Sequence, residues 1–272
     1  TAFRGFGGPQ GMFAIEYVID EIARTLGLDP LEVRQRNFDG TGERNVTHYQ
    51  QTIEDNIIND LVDKLSRISD YSARRAEIRQ ANAGNPVLKR GIALTPVKFG
   101  ISFTNTMLNQ AGALINVYKD GTVRLNHGGI EMGQGLYTKV AQVVADELGI
   151  TLDRIRVTAA DTSKVPNASA TAASSGSDMN GKAAQAAARE IRKRLTALAA
   201  QRFNATEAEI GFADNRVFAG EQSIDFSELV LAAWMERISL SATGYYRTPK
   251  IHFDPETFTG RPFYYYAYGA AV

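Results

Sequence analysis

Gly128–Gly129–Ile130–Glu131–Met132–Gly133–Gln134–Gly135 stands directly before Leu136–Leu148, where Leu136, Val140, Val143, Val144 and Leu148 share one helical face. Glycines at such a place let backbone come close to a ligand. The start of the following helix offers unpaired N–H groups and a positive dipole end, which suit a group of phosphate or oxo character. Glycine-rich strand-to-helix turns also serve as purely structural joints, so the stretch leaves both readings open.

Working outward, Ala113–Tyr118 and Val123–His127 read as strands joined by a hairpin turn at Lys119–Asp120–Gly121. Arg90–Phe99 reads as an earlier strand and Ile155–Ala160 as a later one. An alanine-rich helix is expected over about Asp178–Phe203 with Ala187, Ile191, Leu195 and Leu198 inward, and another over Asp225–Met235. Toward the amino end, residues 11–26 carry Met12, Ile15, Ile19, Ile22 and Leu26 at helical spacing, stopped by Gly27. Asp29–Pro30–Leu31–Glu32 then gives an N-cap, a proline at the first helical position and a glutamate at the third. Helical pattern resumes from about Ile53 to Gln80, broken near Ser69–Asp70, and Gly84–Asn85–Pro86 marks an internal boundary. Helices follow hairpins more than they alternate with single strands, so the fold class expected is α+β, with mixed or antiparallel sheets and packed helices. The domain reading is a mainly helical part, 1–86, followed by an α+β part, 87–272.

The chain has 272 residues, 44% hydrophobic and 22% charged, enough to bury a sizeable core. Thirty basic against thirty acidic residues give no electrostatic case for nucleic acid or an acidic membrane surface. No apolar run reaches the roughly twenty residues that span a bilayer. The absence of cysteine removes disulfides, zinc–thiolate sites and iron–sulfur ligation from this chain, and fits a cytoplasmic location. Thr1 is not an initiator residue and Val272 follows directly on the tyrosine-rich, strand-like Phe263–Tyr268 run. The chain is therefore expected to be a piece of a longer polypeptide. Its three histidines, His48, His127 and His252, have no ligand spacing, so direct side-chain ligation of a metal is not expected. No G-x-S-x-G elbow is present, and Pro9 interrupts Gly5-x-Gly7 as a dinucleotide fingerprint. A metal carried by an organic cofactor, gripped by backbone and amides, escapes these objections.

Three further segments frame the glycine-rich stretch. They are Thr1–Ala2–Phe3–Arg4–Gly5–Phe6–Gly7–Gly8–Pro9–Gln10–Gly11; Phe99–Gly100–Ile101–Ser102–Phe103–Thr104 with Leu108–Asn109–Gln110–Ala111–Gly112; and Val165–Pro166–Asn167 with Thr171–Ala172–Ala173–Ser174. Together, in this order, they resemble the molybdenum-cofactor portion of the xanthine dehydrogenase / xanthine oxidase family. The resemblance runs on through Gly244–Tyr245–Tyr246–Arg247–Thr248–Pro249. It implies a molybdenum–molybdopterin cofactor that the protein surrounds without cysteine ligation. Gln134 is similar to the glutamine that donates a hydrogen bond to an oxo group beside the metal. Met132 and Gly133 would present backbone to the pterin, Ala173 and Ser174 resemble the small-residue turn near the metal, and Arg4 matches an arginine whose segment lines the cofactor. Phe6 matches the phenylalanine that stacks face-on against a heteroaromatic substrate, Phe103 the one that meets it edge-on, and Thr104 supplies a hydroxyl contact. Read from residues alone, Phe6 and Phe103 suit core packing, although Phe6 between glycines has little to pack against. Glu131 reads as a structural hydrogen-bond acceptor, Arg189–Arg192–Lys193–Arg194 as a solvated helix face, and Tyr264–Tyr266 with Tyr268 as a sheet face. Two positions depart from the family: Ile130 where threonine is common, and Tyr137 where histidine is.

The resemblance implies hydroxylation of a purine (hypoxanthine and xanthine to urate) with water as oxygen source. Electrons would pass to 2Fe-2S clusters, FAD and NAD carried by other domains or subunits. The alternatives left open are an aldehyde oxidoreductase or another N-heterocycle hydroxylase, and a non-catalytic assembly domain. The family's general-base glutamate has no match here and is expected outside this chain, so no catalytic residue is assigned. By itself the chain is expected not to turn over substrate.

Overall fold

The computed structural model describes residues 4–165 and 168–272; Thr1–Ala2–Phe3 and Pro166–Asn167 of the quoted motifs lie outside the described residues. The chain forms two units, Thr1–Ile101 with Lys250–Val272, and Ser102–Pro249. The change of periodicity at Gly84–Asn85–Pro86 falls inside the first of them.

The first unit opens with α1 (Gly8–Leu26) and α2 (Pro30–Arg36). Asp29 caps α2 by accepting from Leu31 N–H at 2.9 Å. Glu32 does not close a capping box; it pairs with Arg36 one turn on. Buried Arg34 joins the two helices, donating to Glu16 Oε2 at 2.6 Å and Asp20 Oδ1 at 2.9 Å. The apolar stripe expected to face inward on α1 is largely exposed: Ile15, Ile22 and Leu26 all lie open and only Ala23 is buried. Then come α3 (Ile58–Ile68), α4 (Tyr71–Gly84) and β1 (Thr95–Ile101). The break expected near Ser69–Asp70 is there, with Asp70 at φ 50°. Leu31, Val62, Tyr71 and Leu94 form this unit's small core.

The second unit runs β2 (Gln110–Val117), β3 (Val123–His127), α5 (Leu136–Leu148), β4 (Ile155–Val157) and α6 (Gly176–Phe203). It continues with β5 (Gly211–Ala213), β6 (Arg216–Ala219), β7 (Gln222–Asp225), α7 (Phe226–Met235) and β8 (Ser241–Arg247). The expected hairpin joins β2 to β3, and β8 returns to the other side of β2, giving the order β4-β3-β2-β8. β3 pairs with β4 in parallel and β2 is antiparallel to both neighbours, so the sheet is mixed. β2 alternates strictly, with Ala111, Ala113, Ile115 and Val117 buried. Those residues join Val140, Val144 and Leu148 of α5 and Ala187, Ile191, Leu195 and Leu198 of α6 in one core.

In the basic run on α6, Arg189 and Lys193 are exposed as expected, while Arg192 and Arg194 are half-buried. Arg189 reaches Glu147 Oε2 at 3.1 Å and Arg192 donates to the Glu147 carbonyl at 2.9 Å. Arg194 donates to the Ser239 and Ser241 carbonyls at 3.0 and 2.9 Å. These side chains tie α6 to its neighbours.

After Pro249 the chain re-enters the first unit through β9 (His252–Asp254), β10 (Thr259–Arg261) and β11 (Tyr265–Ala271). β11 pairs antiparallel with β1, turning half-buried Tyr266 and Tyr268 to one face and Tyr265 to the other. The α+β class expected from the sequence therefore holds.

Candidate functional site

Register gathers the second unit's glycine-rich and aromatic segments at one end of its sheet. Ala113 lies opposite His127 and Gln110 opposite Arg247, so the start of β2 and the ends of β3 and β8 coincide. The Ser102–Asn109 loop enters β2 there and the Gly128–Gly135 loop leaves β3 there. Residues 165 and 168 lie against this end. A methyl built on Gly112 would stand 3.3 Å from Val165 Cγ1, and one on Gly128 would stand 2.1 Å from Ala168 Cβ. Glycine at 128 is thus required by close approach.

The Gly128–Gly135 loop is locked by its own side chains. Gly129 N–H donates to His127 Nδ1 at 3.1 Å and Ile130 N–H to Thr171 Oγ1 at 2.9 Å. Met132 N–H donates to Gln134 Oε1 at 2.6 Å, and Gln134 Nε2 donates back to the Ile130 carbonyl at 2.8 Å. Glu131 accepts from Gly133 N–H at 2.8 Å, Gly135 N–H at 3.0 Å and Tyr137 N–H at 3.2 Å. The unpaired amides expected at the start of α5 are therefore not unpaired: the anion that fills them is the chain's own Glu131. Its reading as a structural acceptor is the one the geometry supports. Desolvation opposes its ionisation, but N–H groups of Tyr137, Gly135, Gly133 and Leu136 outweigh that and hold the carboxyl below its ordinary 4.5. The folded value being the lower one, the brace is complete above about pH 4.5 and is lost as pH falls through the folded value. Replacing Glu131 with Gln is expected to speed amide exchange at Gly133, Gly135 and Tyr137 by about tenfold or more, measured near neutral pH. Exchange unchanged from wild type would mean that the loop is held by something else.

His127 anchors the root of this loop. Because Nδ1 accepts the Gly129 N–H, the ring hydrogen belongs on Nε2, which is buried without a hydrogen-bond partner among the described residues. Burial pushes the imidazole down to about 4, so it is neutral near pH 7. The Tyr137 ring meets it edge-on at 5.2 Å. Among the described residues no group of three or more His, Cys, Asp or Glu side chains could hold a metal ion.

Thr171 connects the loop to a second unusual turn. Ala173 and Ser174 stand in succession at φ 53° and 56°, just before Ser175 and the start of α6. Left-handed backbone costs a non-glycine residue about 1–2 kcal/mol, and such outliers concentrate where a ligand is gripped. The Ile130–Thr171 bond thus joins the loop that carries Met132, Gly133 and Gln134 to the segment that carries Ala173 and Ser174. Phe103 and Thr104 sit on the other loop at the same end of the sheet, Phe103 half-buried on the core and Thr104 exposed. Both backbone groups of Phe103 are held by Asn109, a buried side chain that sequence reasoning passed over.

Arg4 and Phe6 belong to the first unit. Gly5 and Gly7 stand at φ 91° and 93°, with open space where a Cβ would go. Phe6 between them is 74% exposed, which removes core packing within this unit as its reading. Gln10 steadies the turn, its Oε1 accepting from Gly7 N–H at 2.9 Å.

The chain belongs to the molybdopterin cofactor-binding domain family: models of that description match residues 64–272 and 1–38. It is 44% identical over 271 residues to a xanthine dehydrogenase of Oryza sativa subsp. japonica, covering 100% of this chain and 18% of that one. It is 42% identical over 271 residues to a xanthine dehydrogenase/oxidase of Mus musculus, covering 100% of this chain and 19% of that one. The chain therefore spans less than a fifth of the length of these curated relatives. An aldehyde oxidoreductase from Desulfovibrio gigas matches at a TM-score of 0.76 with 23% identity, over 99% of this chain and 26% of that one, which speaks for the fold.

The residues present fit a molybdopterin. Bonding within the loop uses one of the two amide hydrogens that Gln134 Nε2 carries, which leaves a donor for an oxo group. The Ala173–Ser174 turn carries only small side chains, and Gly135 leaves open space where a side chain would stand.

Proposed function

We propose that this chain forms part of the cofactor wall and the substrate clamp of a xanthine dehydrogenase-like molybdenum hydroxylase, acting on a purine in cytoplasmic purine breakdown. The bound cofactor supplies a redox-active metal that takes up the electrons released when a substrate carbon is hydroxylated with oxygen from water. This chain's part is to bind and orient. Gln134 donates its remaining amide hydrogen to an oxo group. Met132 and Gly133, whose N–H groups are held within the loop, meet the pterin through backbone carbonyl oxygens. Ala173 and Ser174 keep the approach to the metal clear of bulky side chains, and Arg4 lines the cofactor. Phe6 stacks on the substrate ring, Phe103 meets its edge, and Thr104 offers a hydroxyl. The general base, the 2Fe-2S and FAD centres and the NAD site belong to other parts of the assembly.

One observation carries the reading: loops bearing Gln134, Ala173–Ser174 and Phe103–Thr104 converge on one end of a sheet, in a chain alike from end to end to proteins named xanthine dehydrogenase. The test compares xanthine- and benzaldehyde-dependent reduction by the intact assembly with wild-type and Phe6→Ala chains. Removing one stacking aromatic forfeits its buried area and about 0.5–1.5 kcal/mol of ring geometry, so xanthine turnover is expected to fall about ten- to a hundredfold. Aldehyde turnover with xanthine inert would overturn the purine substrate and leave the cofactor reading standing. An assembly without molybdenum would leave a structural domain.

A further inference from the structure

Asn109 is 2% exposed and spends its whole side chain on the loop that carries the clamp. Its Oδ1 accepts from Phe103 N–H at 2.8 Å, and its Nδ2 donates to the Phe103 carbonyl at 2.9 Å. The same Nδ2 lies 3.3 Å from the Asn105 and Thr106 carbonyls. The amide thus grips both ends of one residue, as a strand neighbour would, and closes the seven-residue excursion from Phe103 to Asn109. Ser102, at φ 147°, turns the chain into this excursion. Asn109 itself is fixed from outside, because its carbonyl accepts from Thr248 N–H at 3.0 Å just past the end of β8. A rigid sheet end therefore sets the position of two consecutive residues whose side chains are otherwise held only from one side: Phe103 is half-buried and Thr104 exposed.

We infer that Asn109 is a positioning residue for substrate recognition, acting through Phe103 and Thr104 to fix the height and tilt of a planar ring; the inference rests on the clamp proposed above. Small displacements at such a contact are costly, a shift of about 1 Å reaching a hundredfold in rate. Asn109→Ser removes the grip while keeping the residue small and uncharged and its backbone bond to Thr248 intact. Asn109→Asp keeps the shape and the acceptor but turns the donor toward three carbonyls into an acceptor, and does not rescue.

The experiment uses the intact assembly and measures kcat/KM for xanthine, with molybdenum content and melting temperature alongside. Asn109→Ser is expected to lower kcat/KM about ten- to a hundredfold with molybdenum retained. In a Phe103→Ala/Thr104→Ala background the same change is expected to cost less than about twofold, because residues that act as one unit are non-additive. A full, additive loss in that background, or loss of molybdenum in the single variant, overturns the inference and leaves the clamp standing. If Phe103→Ala/Thr104→Ala alone leaves kcat/KM untouched, the clamp itself fails and Asn109 with it.

Discussion

Gly244→Val is expected to lower the melting temperature of the second unit by many degrees or to abolish its folding. Gly244 lies in β8 opposite Ala113, where α6 comes down on the sheet. A Cβ there would sit 2.0 Å from the Ala183 carbonyl oxygen, 2.5 Å from Ala187 N and 3.1 Å from Ala187 Cβ. The first two of these atoms are backbone, so no side chain can swing aside; the helix itself has to move. That helix meets the sheet through Ala183, Ala184, Ala187 and Ala188, all fully buried, and the close approach is what the small residues permit. Overpacking of this kind costs about 1–3 kcal/mol for modest insertions and more when backbone must shift. A domain's net stability is only about 5–15 kcal/mol. Strand preference acts the other way, favouring valine over glycine by up to about 1 kcal/mol, and loses to the clash. Thermal or urea unfolding decides the matter, with Gly244→Ala as the milder step. A variant as stable as wild type would show α6 free to ride away from β8 at little cost.

The same contact shows what could be read in the sequence and what could not. The bounds of α5 and the inward face of α6 were legible because their apolar spacing is local, and so was the cap at Asp29, which accepts from the N–H two residues on. The pairing of β8 with β2 was not legible. It joins strands separated by several elements, and nothing in either strand names its neighbour. For the same reason Gly84–Asn85–Pro86 drew the eye as a boundary, while the chain leaves its first unit after Ile101 and returns after Pro249. The pairing of β1 with β11 that brings it back is equally long-range. On α1 the periodicity identified an apolar stripe but not its cover, since spacing tells which residues share a face and not what packs there.

The glycine-rich loop was legible in position and misread in bonding. Gly128–Gly135 did announce a close backbone approach and a helix start. A carboxylate at Glu131, two residues before Gly133 and four before Gly135, was the available signal that the N–H groups would be filled from within. Asn109 gave the weakest signal. An asparagine just ahead of a strand reads as turn chemistry, and only the folded loop reveals that its amide reaches back to Phe103.

With its N–H groups engaged, the loop's side-chain donor gains weight, and Gln134→Ala is expected to reduce turnover of the intact assembly by about a hundred- to a thousandfold. That is the usual loss, about 2.7–4 kcal/mol, when a preorganised donor is taken from a developing charge. Gln134 is well suited to such a part. Its Oε1 is fixed by Met132 N–H at 2.6 Å and one hydrogen of its Nε2 by the Ile130 carbonyl at 2.8 Å, so the amide plane is set and the second hydrogen has a defined direction. A donor held in advance has no reorganisation to undergo when charge appears on its partner. Gln134→Glu should fare no better than alanine. It keeps an acceptor for Met132 but sets a carboxylate against the Ile130 carbonyl and against any oxo group. Molybdenum content separates the two parts the residue plays. Turnover lost with metal retained marks the donor to the ligand; both lost together marks the brace on the loop, which Glu131→Gln weakens without removing that donor. Full turnover with full metal in Gln134→Ala would remove this residue from the site and leave the loop's carbonyl oxygens as the surface that meets the cofactor.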